Sequence, residues 1–185
     1  MVRPVDIIRS IYAPGSAACD IFMAHAVAVS RKAIIVARRV PHLNPDIRFI
    51  AEAAMLHDIG ICFTDAPSIG CRGKYPYVCH GYLGRQLLEE HGLKRHALVC
   101  ERHVGTGLSA ADIRRQNLPL PERDMRPETI EEEIICYADK FFSKKIYNQP
   151  AVERPVAEVV LELEKYGPEP VRRFLDWVDR FEPCR

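Results

Sequence analysis

The 185-residue chain has no run of apolar residues approaching the roughly 18 that a membrane span requires. Its first stretch, Met1 to Tyr12, is too short and too charged (Arg3, Asp6, Arg9) for a secretory core, so a cytoplasmic location is expected and a membrane partner is not. It has almost no net charge: 26 Lys and Arg stand against 25 Asp and Glu. Polymeric nucleic acid usually calls for a basic face, so any nucleotide partner is expected to be a small molecule. There is no Cys-x-x-Cys pair among the seven cysteines (Cys19, Cys62, Cys71, Cys79, Cys100, Cys136, Cys184), which removes zinc-ribbon and redox-pair readings and leaves reduced thiols. Alternating strand patterns, internal repeats and low-complexity segments are missing as well.

What is present is helical periodicity, and the expected fold is all-α: one domain over 1–185, with a core of about 16–147 and a helical extension of about 151–181. Ser16 is a candidate N-cap for a long helix with an apolar stripe of Phe22, His25, Ala26, Val29, Ala33, Val36 and Val40, stopped by Pro41. Asn44-Pro45 reads as the start of the next helix, with Ile47, Ile50, Ala51 and Ala54 inward, leading to His57. Glycine and proline punctuate 59–77, which predicts a long functional loop. Helices follow over about Val78–His91, closed by Gly92, over Leu93–His103, and from a Ser109 cap to Asn117. After a Pro-rich stretch, Thr129 and Glu132 form a capping box for a helix carrying Ile135, Asp139 and Phe142. Two amphipathic helices, divided near Gly167-Pro168, complete the chain, with Val159, Val160, Leu163, Phe174, Leu175 and Trp177 as core candidates.

One set of residues carries chemistry. His25 falls within an apolar stripe and points inward, where a lone histidine is usually hydrogen-bonded to a carbonyl. Asp139 shares the inner face of Ile135 and Phe142, where an unpaired carboxylate is expensive and a cation would remove the cost. His57-Asp58 ends a helix, where both side chains can turn toward one ion and the carboxylate can bridge two. Imidazole nitrogen with carboxylate oxygen suits Fe, Mn, Mg, Co, Ni or Zn. Periodicity alone leaves His80 and His103 open between metal ligands and exposed surface histidines.

The order His, His-Asp, Asp, with Leu56-His57-Asp58-Ile59-Gly60 and Tyr137-Ala138-Asp139-Lys140, resembles the HD-domain superfamily of metal-dependent phosphohydrolases, in its HDIG-type branch, over roughly Ala24 to Lys145. His80-Gly81-Tyr82-Leu83-Gly84, Glu101-Arg102-His103-Val104-Gly105 and Pro127 to Glu132 resemble a small, largely uncharacterised prokaryotic HDIG subfamily. His80 and His103 are similar to histidines of HD hydrolases of symmetrical dinucleoside tetraphosphates and of the HD-GYP cyclic-dinucleotide phosphodiesterases. The resemblance implies two divalent ions, one on His25, His57, Asp58 and Asp139, the other on Asp58, His80 and His103. It implies a phosphomonoesterase or phosphodiesterase acting on a nucleotide or related small phosphate ester, with hydroxide generated at neutral pH by the metal. Asp58, His80 and His103 are then catalytic, with Lys140 and Arg102 as candidate phosphate clamps. Alternatives are a nucleotide-sensing module and, less favoured, a di-iron oxygenase.

The chain departs from these groups at two points. Ile61 stands where many relatives carry a phosphate-contacting lysine, and Gly105-Thr106-Gly107-Leu108 replaces the Gly-Tyr-Pro signature, which argues against cyclic-dinucleotide cleavage. Arg72 and Lys74, in the long loop, either supply the missing cation or are solvated loop charges. Oligomeric state is open, with the C-terminal helices as a candidate homo-oligomer surface.

Overall fold

The computed structural model describes residues 3–144 and 152–182, all but four of which lie in helices, turns and connecting coil. The fold is all-α. In chain order the helices are α1 (Pro4–Ile11), α2 (Ala17–Arg39), α3 (Ile47–Leu56), α4 (His80–Glu90), α5 (Lys94–Arg102), α6 (Ala110–Arg115), α7 (Ile130–Asp139), α8 (Val156–Leu163) and α9 (Pro168–Phe181). Cys184, Lys145 and the boundary expected between 147 and 151 fall outside the described residues.

The caps explain where helices begin. The Ser16 hydroxyl accepts from Cys19 N at 3.2 Å and starts α2, whose buried stripe includes Phe22, His25, Ala26, Val29, Ala33 and Val36. Thr129 and Glu132 form the reciprocal capping box of α7, and Ser109 forms one with Asp112 for α6, which ends at Arg115 rather than Asn117.

The start of α3 differs from the expectation. Asp46, not Asn44, is the cap: its carboxylate accepts from Phe49 N at 2.9 Å. Asn44 instead adopts a left-handed conformation (φ 53°) that closes the turn Pro41–Leu43. The shift leaves Ile47 39% exposed, one turn outside the packed face of Phe49, Ile50, Ala53, Ala54 and Leu56. Periodicity did not predict α1; Pro4 pre-sets its first turn and Ile8 anchors it in the core.

The 59–77 segment is folded rather than open. It contains the 3₁₀ turns Ile59–Phe63 and Pro67–Ile69 and a two-residue antiparallel ladder, β1 (Asp65–Ala66) with β2 (Cys71–Arg72). Gly60 ties its start to α4: a Cβ there would run into His80 O and Gly84 N and lie 2.8 Å from Gly84 Cα, so only glycine permits this backbone contact.

Two apolar clusters fill the interior. One joins α2, α3 and α7 to the C-terminal helices through Tyr137, Phe141, Phe174, Trp177 and Phe181. The other packs Ile8, Tyr12 and Phe22 against Leu56, Ile59, Ile61, Leu88 and Cys100. Leu175 is a correction: it is 40% exposed, because the inward stripe of α9 runs through positions 174, 177 and 181, and Leu175 lies about 100° around the helix from Phe174.

Candidate metal centre

Six side chains from five segments converge between the two clusters. His25 comes from the middle of α2. His57 is the C-cap of α3, and Asp58 leaves the helix at φ −102°, ψ 8°, which lets the two neighbours face the same point. His80 opens α4, His103 follows α5, and Asp139 ends α7. All six are buried.

Asp58 stands at the junction. Its Oδ2 lies 3.1 Å from Nε2 of both His25 and His57, while its Oδ1 lies 3.4 Å from Nε2 of His80 and 3.3 Å from Nε2 of His103. Asp139 Oδ1 lies 3.0 Å from His25 Nε2 and 3.4 Å from His57 Nε2. Two groups result, one of His25, His57, Asp58 and Asp139, the other of Asp58, His80 and His103, each with its ligand atoms within 4.8 Å of one another. Either group could hold a divalent ion.

The hydrogen bonds around the rings support that fit. Nδ1 of His57, His80 and His103 donates to the carbonyl three residues earlier, at 2.7 Å (Ala54), 2.6 Å (Tyr77) and 2.7 Å (Cys100). A ring that donates from Nδ1 presents the Nε2 lone pair, the form a metal takes. Yet Nε2 of His80 faces Nε2 of His103 at 3.0 Å, and Nε2 of His25 faces Nε2 of His57 at 3.3 Å. For His80 and His103, both of which donate from Nδ1, opposed lone pairs at that distance require a proton or a cation between them. Asp58 Oδ1 and Asp139 Oδ1 are buried with histidine nitrogens at ion-pair distance and no hydrogen bond, and His25 Nδ1 is buried without a hydrogen-bond partner among the described residues. Buried polar atoms left in that state are costly, and a cation removes the cost. Imidazoles with carboxylates suit first-row divalent metals.

The electrostatics follow from burial and charge together. Burial pushes the Asp58 carboxyl up, but His57 and Lys144 outweigh it and hold the group well below the usual range. Asp139 is likewise held down, against burial, by Lys140 and Lys144. Burial lowers His57, and the pull of Asp58 and Asp139 overcomes it, raising the ring to about 9. His80 goes the other way, to about 3, because burial dominates, and burial lowers His103 too.

A cavity of about 760 Å³ opens beside His80, His103 and Asp139, within the range of small-molecule sites. Lys140 and Lys144 line it; Lys140 Nζ lies 2.9 Å from Asp139 Oδ2, and Lys144 Nζ lies 2.8 Å from Asp58 Oδ2. Arg102 does not reach the cavity. Its guanidinium is bound to Glu132 at 3.0 Å and Glu128 at 2.9 Å, because the residue before His103 faces the N-terminal turn of α7. Arg72 and Lys74 are exposed and outside the lining. The cation at the centre that the sequence did not reveal is Lys144: it lies beyond the end of α7, where periodicity gives no direction, and its one cue was its spacing of four from Lys140.

Comparison with known proteins follows the same residues. The model of the HD domain family matches residues 22–143. The chain is 28% identical over 159 residues to a tRNA (cytidine(56)-2'-O)-methyltransferase of Thermoplasma volcanium, covering 80% of this chain and 42% of that protein. It is 33% identical over 125 residues to the protein of the same name from Picrophilus torridus, covering 67% of this chain and 32% of that one. An uncharacterised protein of Methanocaldococcus jannaschii is 30% identical over 144 residues, 76% of this chain and 74% of its own length. The chain thus spans less than half the length of the two methyltransferases it matches. With the family match extending from α2 to the end of α7, across every segment that brings a histidine or aspartate to the centre, the chain belongs to the HD-domain family.

Proposed function

We propose that the protein is a metal-dependent phosphohydrolase acting on a nucleotide or a related small phosphate ester. The observation that carries this reading is Asp58, with each carboxylate oxygen facing a separate pair of histidines. When bound, divalent cations lower the pKa of water and neutralise phosphoryl charge. His25, His57, Asp58 and Asp139 would hold one, and Asp58, His80 and His103 the other. The three carbonyls at Ala54, Tyr77 and Cys100 keep the rings oriented. Lys140 places a positive charge on the cavity wall, where an anionic ester would enter, and the cavity volume suits a small-molecule substrate.

The test is phosphate release over a panel of nucleotides, with Mn or Fe(II) supplied. His57→Ala and Asp58→Ala are expected to abolish both metal binding and release while helicity by circular dichroism is kept. Activity that survives in a metal-free double variant would sink the reading.

The relatives' names favour a second reading, in which this fold serves a tRNA-modifying activity. It opposes the expectation that polymeric nucleic acid is not a partner. Retardation of a tRNA transcript in a gel, without phosphate release from any nucleotide, would favour it.

A further inference from the structure

Lys140 and Lys144 both touch an aspartate of the centre, but they touch different kinds of oxygen. Lys140 Nζ sits on Asp139 Oδ2, the oxygen turned away from the histidines, since His25 and His57 face Oδ1. Lys144 Nζ sits on Asp58 Oδ2, the same oxygen that both His25 and His57 face. An ion held by those histidines and Lys144 therefore compete for one atom, whereas Lys140 leaves its ligand oxygen open. Asp58 is also the one residue shared by both ligand groups.

We propose that Lys144 is a counter-ion that changes partner, holding Asp58 when the centre is empty and binding the substrate's phosphate when it is loaded, so that it opposes metal binding and favours anion binding. The inference rests on the hydrolase reading above.

Further observations support it. The Lys144 ammonium is largely buried, its side chain 15% exposed, so it needs an anionic partner in either state. Lys144 lines the cavity. Other cations on that wall are already engaged: Arg154 with Glu162 and the Lys140 carbonyl, Arg173 with the carbonyls of Thr106 and Gly107 at 2.7 and 3.2 Å. Tyr77 lies beside Lys144, its ring 6.0 Å from Lys144 Nζ and 4.7 Å from the His80 ring, and its carbonyl accepts from His80 Nδ1. Once two divalent ions add their charge, the ammonium is repelled from Asp58 and a phosphate dianion is the complementary partner.

Calorimetric titration with Mn(II), then with inorganic phosphate at saturating Mn(II), tests this on the wild-type chain and on Lys144→Gln and Lys144→Arg. The Gln variant is expected to bind Mn(II) about tenfold more tightly or better and phosphate about tenfold more weakly. The Arg variant, which keeps the charge, is expected to stay near wild type in both. A purely structural lysine would weaken both ligands together, so weaker or unchanged Mn(II) binding by the Gln variant overturns the inference, as does unchanged phosphate binding. If wild type binds Mn(II) and phosphate while the Gln variant shifts neither, this inference alone fails. If wild type binds no divalent metal at all, the hydrolase reading fails and takes it down as well.

Discussion

The proton on His57 is the residue-scale link between geometry and metal affinity. Burial works against it, but Asp58 and Asp139 raise the ring to about 9, so a protein without metal carries that proton at neutral pH. With Nδ1 committed to Ala54 O, the added proton resides on Nε2, among the oxygens that would bind the ion. Below the raised pKa, every ion bound displaces one proton; above it, none is displaced. Apparent Mn(II) affinity at this site is therefore expected to weaken about tenfold for each pH unit lost below about 9, measured by titrations between about pH 6.5 and about pH 8.5. A flat profile would contradict the assignment. At this scale the amino-acid order already carries much of the centre: inward helical faces at His25 and Asp139, and the helix-terminal His57-Asp58, point to one place. Clamps are harder, since the residue beside a ligand can face either way: Arg102 turns to Glu132 and Glu128, Lys140 lines the cavity, and Lys144 emerges from a stretch without periodicity.

Among the elements, α2 is legible end to end because its Ser16 cap and the Pro41 stop act locally, whereas only the capped start of α7 is, since the helix ends at Asp139, short of the expected Phe142. The start of α3 is not, since Asn44 could cap or turn, and only the competing Asp46 and the bond from Asp46 N to Glu131 at 3.0 Å decide it. The 59–77 segment conceals its order because its ladder is only two residues per strand, too short to show alternation. The contact of Gly60 with α4 offers the sharpest test. Gly60→Ala places a methyl group against His80 O and Gly84 N, both backbone atoms that cannot rotate aside. It is expected to cost at least the ~1–3 kcal/mol of an overpacked core in urea unfolding, and to weaken metal binding by displacing His80. Unaltered stability with unaltered Mn(II) affinity would show that α4 shifts freely.

At the scale of the whole molecule, the C-terminal helices and the HD segment share one interior. Phe174, Trp177 and Phe181 pack with Tyr137 and Phe141, and the buried Lys32 of α2 lies 3.8 Å over the Phe141 ring and 2.7 Å from Glu153. Core membership in α9 is legible at Phe174 and Trp177 but not at Leu175 or Phe181, and which wall of the cavity α8 and α9 build is not legible, because that depends on tertiary placement. Since the candidate ligands run from position 25 to 139, an unfolded chain has no assembled centre, and a metal held there would favour the native state. Mn(II) at about 100 times its dissociation constant should contribute about 2.7 kcal/mol and raise the melting temperature by roughly 5–10 °C over the EDTA-treated protein. The lone Trp177, buried in the shared interior, reports the transition by fluorescence, and Asp58→Ala should lose the shift. The touching backbones at Gly60 and Gly84 have one more consequence. They gauge the two halves of the centre against each other with main chain, so the interval between the halves does not depend on which side chains line them.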